Sequence, residues 1–400
     1  MKISFIQPSR NNLKYLKWSY DSIRKNQGSH IAEICIADDA STDGTWEWCV
    51  ETERKDPNFK WIRNMGPNRL GHTILYDRLI NEVATADICM IYHADMYLCP
   101  GALDEIEKHI GPKKIVSLTR IEPPLHPDGP EKVLADWGIE TEQFNEESFL
   151  QWFNNTYKPK GPDTTEGIFA PWAFMKSDFQ EIGGHDPLYA PQSKEDSDIF
   201  NRFQLNGVKF IQAWKGCVYH MTCRGSRFNP TLTTPGKNSP EWEAQNYRST
   251  RNFIRKWGHF VKHDSLMKPI IPHKYNVSAI IHNCKESLLE LLEPWFTNVY
   301  ISNSPILNRD EYIRKEQVNT SFDLSKRVHE FNTESFNKDN IDILIEFDAN
   351  QFNQQSFNII QNLSDIITDS GELGLFKLDI FDINITNLQT YEKELIICKK

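Results

Sequence analysis

The stretch Ile88-Cys89-Met90-Ile91-Tyr92-His93-Ala94-Asp95 constrains this chain more than any other. Five apolar or aromatic residues run without a break into a His-x-Asp. A run with no polar alternation has no solvent face. It therefore reads as a strand covered on both sides, as in a parallel sheet packed between helices. Pro100 and Gly101 close the segment, and Ala102 to His109 reads as a helix. His93 and Asp95 then stand at the carboxyl end of a central strand, the edge where open α/β sheets bind ligands. An imidazole and a carboxylate separated by one residue can share a divalent cation, and such a cation can hold a diphosphate. Alone, the tripeptide better fits a strand that ends in two solvated polar residues, so its meaning rests on what flanks it.

The flanks repeat the pattern. Ile3 to Gln7 is a strand, broken by Pro8-Ser9-Arg10-Asn11-Asn12. Leu13, Leu16, Tyr20 and Ile23 have helical spacing. Ile31 to Ala37 is a second strand, ending in Asp38-Asp39-Ala40-Ser41-Thr42-Asp43-Gly44, whose Asp and Ser residues suit the start of the next helix. Phe59 to Arg63 reads as a third strand, and Asn68 to Ala84 as a helix entered through Gly71. Strand and helix alternating at this spacing predict a mostly parallel, doubly wound sheet. Carboxylates at the ends of the second and fourth strands then face one crevice.

These pieces resemble the family 2 glycosyltransferases of GT-A fold. Ile36 to Thr45 looks like that family's nucleotide-binding signature, and Pro8-Ser9-Arg10-Asn11 its first loop. His93-Ala94-Asp95 stands where the family has Asp-x-Asp, with His in the first position. Further on, Gly183-Gly184-His185 resembles the Gly-Gly turn that carries acceptor contacts. Glu195-Asp196-Ser197-Asp198 resembles the Glu-Asp motif that opens a helix. Gly216 to His220 resembles a strand end bearing a third metal ligand. The motifs occur in the family's order from Met1 to about Arg227.

The resemblance implies a metal-dependent, inverting transfer from a nucleotide-sugar, with Mn²⁺ or Mg²⁺ as cofactor. It assigns Asp95, His93 and His220 to the metal. Pro8, Ser9, Arg10, Asp38, Asp39, Ala94 and Asp95 would hold the donor, and a carboxylate that accepts from uracil N–H favours UDP. Asp196 would be the base, supported by Glu195. Gly184, His185 and Asp198 would face the acceptor, a glycan or lipid-linked glycan of a surface polysaccharide or glycoconjugate. The two arginines of Arg224-Gly225-Ser226-Arg227 fit either diphosphate contacts or ordinary surface charge. Two other readings stay open: a nucleotidyltransferase, and a glycan-binding module on a retired transferase fold. The first usually carries a Gly-rich basic loop after its first strand, and the second has no use for Glu195-Asp196.

The chain's 400 residues exceed one compact core, so two domains are expected. They are read as 1–265, catalytic, and 266–400, a smaller α/β accessory domain. The linker is Met267 to Pro272, and Glu241 to Val261 is a helix that packs back on the first domain. In the second domain, Val277 to Cys284, Val299 to Ser304 and Asp342 to Phe347 read as strands. Leu375 to Ile385 reads as one long strand. By eye this domain repeats the start of the chain, with Asp348-Ala349-Asn350 in the place of His93-Ala94-Asp95. It is either a degenerate GT-A-like half or an unrelated module.

A formal net charge of -10 argues against general nucleic-acid binding. Eight scattered Cys with no C-x-x-C fit reduced thiols in the cytoplasm. No signal peptide or membrane-spanning run is read, which leaves room only for peripheral contact at the inner face of a membrane.

Overall fold

A computed structural model describes residues 1–222, 238–334, 336–338 and 340–398. The Arg224 to Arg227 loop lies outside them. The chain divides into two compact units. The first comprises Met1–Gln245 and His263–Pro269, with the residues from Ile397 on; the second comprises Asn246–Lys262 and Ile270–Ile396. The expected cut at 265/266 falls inside the segment that returns to the first unit.

The first unit is an α/β fold. In chain order its elements are β1 (Lys2–Ser9), α1 (Leu13–Asn26), β2 (Ile31–Asp39), α2 (Thr45–Lys55), β3 (Phe59–Asn64), α3 (Gly71–Arg78), β4 (Ile88–Ile91), β5 (Met96–Leu98), α4 (Ala102–His109), β6 (Lys114–Glu122), β7 (Lys132–Leu134), α5 (Glu146–Asn155), β8 (Thr164–Thr165), β9 (Trp172–Met175), α6 (Lys176–Glu181), α7 (Glu195–Leu205) and β10 (Lys209–His220). The sheet runs β3-β2-β1-β4-β9-β6-β10-β5, with β7 beside β6 and β8 beside β10. The first four strands are mutually parallel, and β9 and β5 run against their neighbours.

β1, β4 and α1 form for the reason their sequences suggest. β1 is buried from its second residue on, and β4 from its second, because neither has a polar face to offer solvent. α1 buries Tyr15, Leu16, Ser19, Ser22 and Ile23, one stripe at three- and four-residue spacing, and its last turn carries Arg24 and Lys25 at the negative end of the helix. β1 continues through Pro8 and Ser9, which pair with Ala37 and Asp38, so the expected break comes two residues later. The seven described cysteines are buried and free of disulfides. Among the described residues no helix is long and apolar enough to cross a membrane.

α8 (Pro240–Trp257) passes from one unit to the other. Its later part does not pack as expected. Ile254 joins the second unit's core, and Arg251 and Arg255 are buried against Glu293 and Glu316. Two buried guanidiniums need carboxylate partners, and these fix the helix's side. The second unit continues with β11 (Val277–His282), α9 (Glu286–Leu292), β12 (Asn298–Ser302), α10 (Arg309–Glu316), β13 (Val328–Glu330), β14 (Ile343–Asp348), α11 (Gln354–Gln361), α12 (Leu363–Ser370), β15 (Gly374–Leu378) and β16 (Phe381–Ile385). Its sheet order is β13-β12-β11-β14-β16-β15. The expected long strand from Leu375 is a hairpin. Leu378 pairs with Phe381, and Asp379 takes φ 54° in the two-residue turn, a conformation Asp tolerates and one that reverses the chain.

Candidate active site

The parallel strands of the first unit end on a cleft of about 540 Å³. Pro8, Ser9, Arg10, Asp39, His93, Ala94, Asp95, Glu195, Asp196 and His220 line it. The sequence placed them on five separate segments, and the fold brings them to one place.

The metal-competent group lies at the end of β4. One ligand atom from each of His93, Asp95 and His220 lies within 4.8 Å of the others. Sheet register creates this group. β10 pairs with β5 so that His220 faces Met96, and Met221 N–H donates to the Asp95 carbonyl at 3.0 Å. His220 Nε2 then sits 3.4 Å from Asp95 Oδ1, and the two imidazole rings lie 5.8 Å apart. Gln7 ties the loop down, donating from Nε2 to Ser19 Oγ at 2.9 Å and to the His93 carbonyl at 3.4 Å. Two imidazoles and one carboxylate form a mixed N/O donor set, which suits a Mn²⁺-type cation better than Ca²⁺.

Sequence reasoning missed the other partner of His220. Glu122, which the four prolines from Pro123 to Pro130 make read as the start of a loop, is the last residue of β6. Its Oε1 lies 2.7 Å from His220 Nδ1 and 2.9 Å from Arg120 Nη1, and its Oε2 lies 3.2 Å from Lys132 Nζ. The same rule that picked out Asp39 and His93, a polar residue ending an apolar strand, applied to Ile121-Glu122 as well. Burial alone would lower His220, but the Asp95 and Glu122 carboxylates push it up to about 9. Burial would raise Asp95, but the His220 imidazole beside it holds it below the ordinary carboxylate range. His93, dominated by burial, falls to about 4.

At the β2 end, the two acidic residues take different roles. Asp39 Oδ1 accepts from Asn64 Nδ2 at 2.7 Å and from Leu70 N–H at 3.0 Å; Oδ2 accepts from Gly71 N–H at 2.9 Å. It thus caps α3 while still facing the cleft. Gly71 has no substitute here. Its φ is 76°, and a Cβ would lie 2.2 Å from the Pro191 carbonyl oxygen. That contact brings the start of α3 against the loop leading into α7. Asp38 does not line the cleft. It is fully buried, accepts from Ser41 N–H at 2.9 Å and pairs with Arg63 at 3.2 Å. Its carboxylate holds the turn after β2.

Glu195 and Asp196 open α7 after two residues in the left-handed region, Ser193 at φ 80° and Lys194 at φ 72°. Such strain persists where the surrounding structure enforces it. Glu195 Oε2 is buried without a hydrogen-bond partner. Burial, with the Asp196 charge second, raises Glu195 to about 8. Asp196 is raised too, by burial, with His185 pulling the other way. Tyr76 lines the same wall and stacks on His185 at 5.5 Å.

The remaining expected acceptor residues are packing elements. Gly184 has φ 71°, and a Cβ would lie 2.4 Å from Asp77 Oδ2. His185 is buried, its backbone N–H donates to Asp77 Oδ1 at 3.0 Å, and its Nδ1 lies 2.8 Å from the same oxygen. Asp198 is fully buried in an ion pair with Arg202 at 2.8 Å. They support α7 from behind the cleft. Arg69, His72, Arg120, Lys132 and Gln192 also line the cleft, and no spacing rule marked them.

Among known proteins, the sequence model of glycosyl transferase family 2 matches residues 4–183. A curated relative, the abequosyltransferase RfbV of Salmonella typhimurium, is 32% identical over 116 residues, 28% of this chain and 33% of the relative. The chain thus matches about a third of that protein's length. Among solved structures, GalNAc-T7 with UDP, GalNAc and Mn²⁺ superposes with a TM-score of 0.45 at 15% identity, covering 64% of this chain and 51% of the other. The mannosyltransferase PcManGT from Pyrobaculum calidifontis, in complex with GDP-Man and Mn²⁺, gives 0.41 at 16% identity, covering 67% of each.

Proposed function

We propose that this chain, whose residues 4–183 match glycosyl transferase family 2, is a metal-dependent, inverting glycosyltransferase. The donor is a nucleotide-sugar, UDP-linked by preference, and the acceptor a glycan or lipid-linked glycan of a surface polysaccharide. The observation that carries this is the cluster of His93, Asp95 and His220 within 4.8 Å in a cleft that also contains the Glu195–Asp196 pair. Mn²⁺ or Mg²⁺ at that cluster would supply Lewis-acid stabilisation of the departing diphosphate.

The chain's own residues divide the rest of the work. Asp39 already accepts three hydrogen bonds. A carboxylate has about four lone-pair sites, which leaves room for one donor N–H, as a uracil offers. Ser9 Oγ, buried and without a hydrogen-bond partner, is available to the nucleotide, with Pro8, Arg10 and Ala94 around it. Asp196 takes the proton of the acceptor hydroxyl as that oxygen attacks the anomeric carbon. Glu195, raised by burial and by the Asp196 charge to about 8, favours its protonated form and can donate to the acceptor. Two carboxylates side by side in a buried site disfavour ionising together, which is what lets one act as acid and the other as base.

The second unit is read as a shortened copy of the first and as an accessory domain. The matching strand order supports this. The test of the whole reading is a panel of sugar nucleotides assayed for hydrolysis and transfer with Mn²⁺, with Mg²⁺ and with chelator. Hydrolysis of one donor, dependent on the cation, is expected. Full activity in chelator would remove the metal from the reading.

A further inference from the structure

We infer that Glu122 is the positioning residue of the cation site: it holds His220 with Nδ1–H turned away and Nε2 turned toward His93 and Asp95. The inference rests on the metal reading above and adds a residue that no motif marks. Three observations carry it. First, Glu122 is only 2% exposed, and its carboxylate is held by three separate donors. His220 Nδ1 and Arg120 Nη1 reach Oε1 at 2.7 and 2.9 Å, and Lys132 Nζ reaches Oε2 at 3.2 Å. A buried carboxylate so matched is rigid. Second, Arg120 is itself fixed. Its guanidinium lies over the Phe169 ring at 3.7 Å and reaches Glu131 at 3.3 Å. Third, the sheet register puts the pair there. Tyr219 of β10 pairs with Ile121 of β6, so the next residues, His220 and Glu122, emerge side by side at the strand ends.

Only one nitrogen of a neutral imidazole can ligate while the other donates. A carboxylate at Nδ1 therefore selects the tautomer with its lone pair on Nε2, and it raises that nitrogen's basicity. Nε2 is also the nitrogen 3.4 Å from Asp95 Oδ1. Glu122 touches neither donor nor acceptor in this scheme. It acts through His220.

The test is Mn²⁺ alone, titrated into the full chain and followed by the free-ion electron paramagnetic resonance signal. Glu122→Gln is expected to weaken Mn²⁺ binding by about ten- to a hundredfold, the usual cost of losing an outer partner of a metal-bound His. Glu131→Gln removes Arg120's other partner and should cost less than Glu122→Gln, because Arg120 still lies over Phe169 and still reaches Glu122. A double-mutant cycle separates positioning from general damage. In a His220→Ala background, Glu122→Gln should cost nothing further. Equal losses with and without His220 would overturn the inference, as would wild-type affinity in Glu122→Gln. If Glu122→Gln does not fold, Glu122→Asp withdraws the carboxylate by one methylene and keeps its charge. A smaller loss that again vanishes without His220 supports the inference; the same loss in both backgrounds overturns it. Wild-type protein that binds no Mn²⁺ at all would overturn the metal reading itself, and the inference with it.

Discussion

The two units share a strand order over five strands. In each, four parallel strands lie in the order third, second, first, fourth, and an antiparallel strand closes against the fourth. In each, a residue of positive φ follows the first and the second strand: Asn11 and Ala40 in one unit, Asn283 and Asn303 in the other. The carboxyl edges differ. The first carries Asp39, His93 and Asp95 around a cleft. On the second, Asn303 Nδ2 donates to Asn283, Asn283 Nδ2 donates to Asp348, and Asp348 also accepts from Asn350 N–H. Those polar groups satisfy one another. In the first unit, by contrast, Ser9 Oγ and Glu195 Oε2 are left without partners. A strand order provides a place for a ligand, and the side chains at the strand ends decide whether the place is used.

The strongest way to break this comparison is to remove the charge that distinguishes the two edges. Asp95→Ala is expected to abolish cation-dependent nucleotide binding in calorimetry, as added chelator should. Unchanged affinity in both cases would sink the metal assignment. The next effect concerns chemistry alone. Asp196→Asn keeps the shape of the pair and removes the proton acceptor, so transfer should fall by about a hundred- to ten-thousand-fold. Donor affinity should hold, since Asp39 and Asp95 are intact. Weakened nucleotide binding with normal turnover of bound donor would move Asp196 to the donor site.

A smaller effect tests the cost of the unfinished edge. Glu195 binds its proton up to about pH 8 when folded, against an ordinary value of 4.5. Between those values the folded state keeps a proton that the unfolded state has lost, so stability declines as pH rises through the window and levels off above it. Glu195→Gln removes that penalty. Its melting temperature should exceed wild type by several degrees at pH 8, at about 2–4 °C per kcal/mol, and match it near pH 4. A gain that is the same at both pH values would show that repacking, not ionisation, is responsible. The smallest effect is expected in the second unit. Asn303→Ala and Asp348→Asn should leave donor turnover within about twofold, as surface changes away from a site do. A large loss would mean the second sheet contributes to the chemistry.

Much of this was legible in one dimension. Apolar runs located β1, β2 and β4, and the polar residues that end them identified the ligand edge, because strand periodicity is local. The same rule applied to β6 would have reached Glu122, but the prolines after it disguised the strand end as loop. The turn at Asp379 was hidden for a different reason: Asp379 stands among Lys377, Asp382 and Asn384 and reads with them as one of the polar positions of a single strand.

The sequence by itself determined which residues stand at a strand's carboxyl end or a helix's first turn, since alternation and capping depend on near neighbours. Only the tertiary structure decided which of them meet. His220 joins Asp95 through the pairing of β10 with β5, and Glu122 joins His220 through the pairing of β10 with β6. Gly184, His185 and Asp198 carry the same motif chemistry as their cleft-lining neighbours, yet Asp77 and Arg202 hold them away from the cleft. Proximity between residues far apart in a chain is set by strand order and register, and neither is written in the spacing of residues along a single strand.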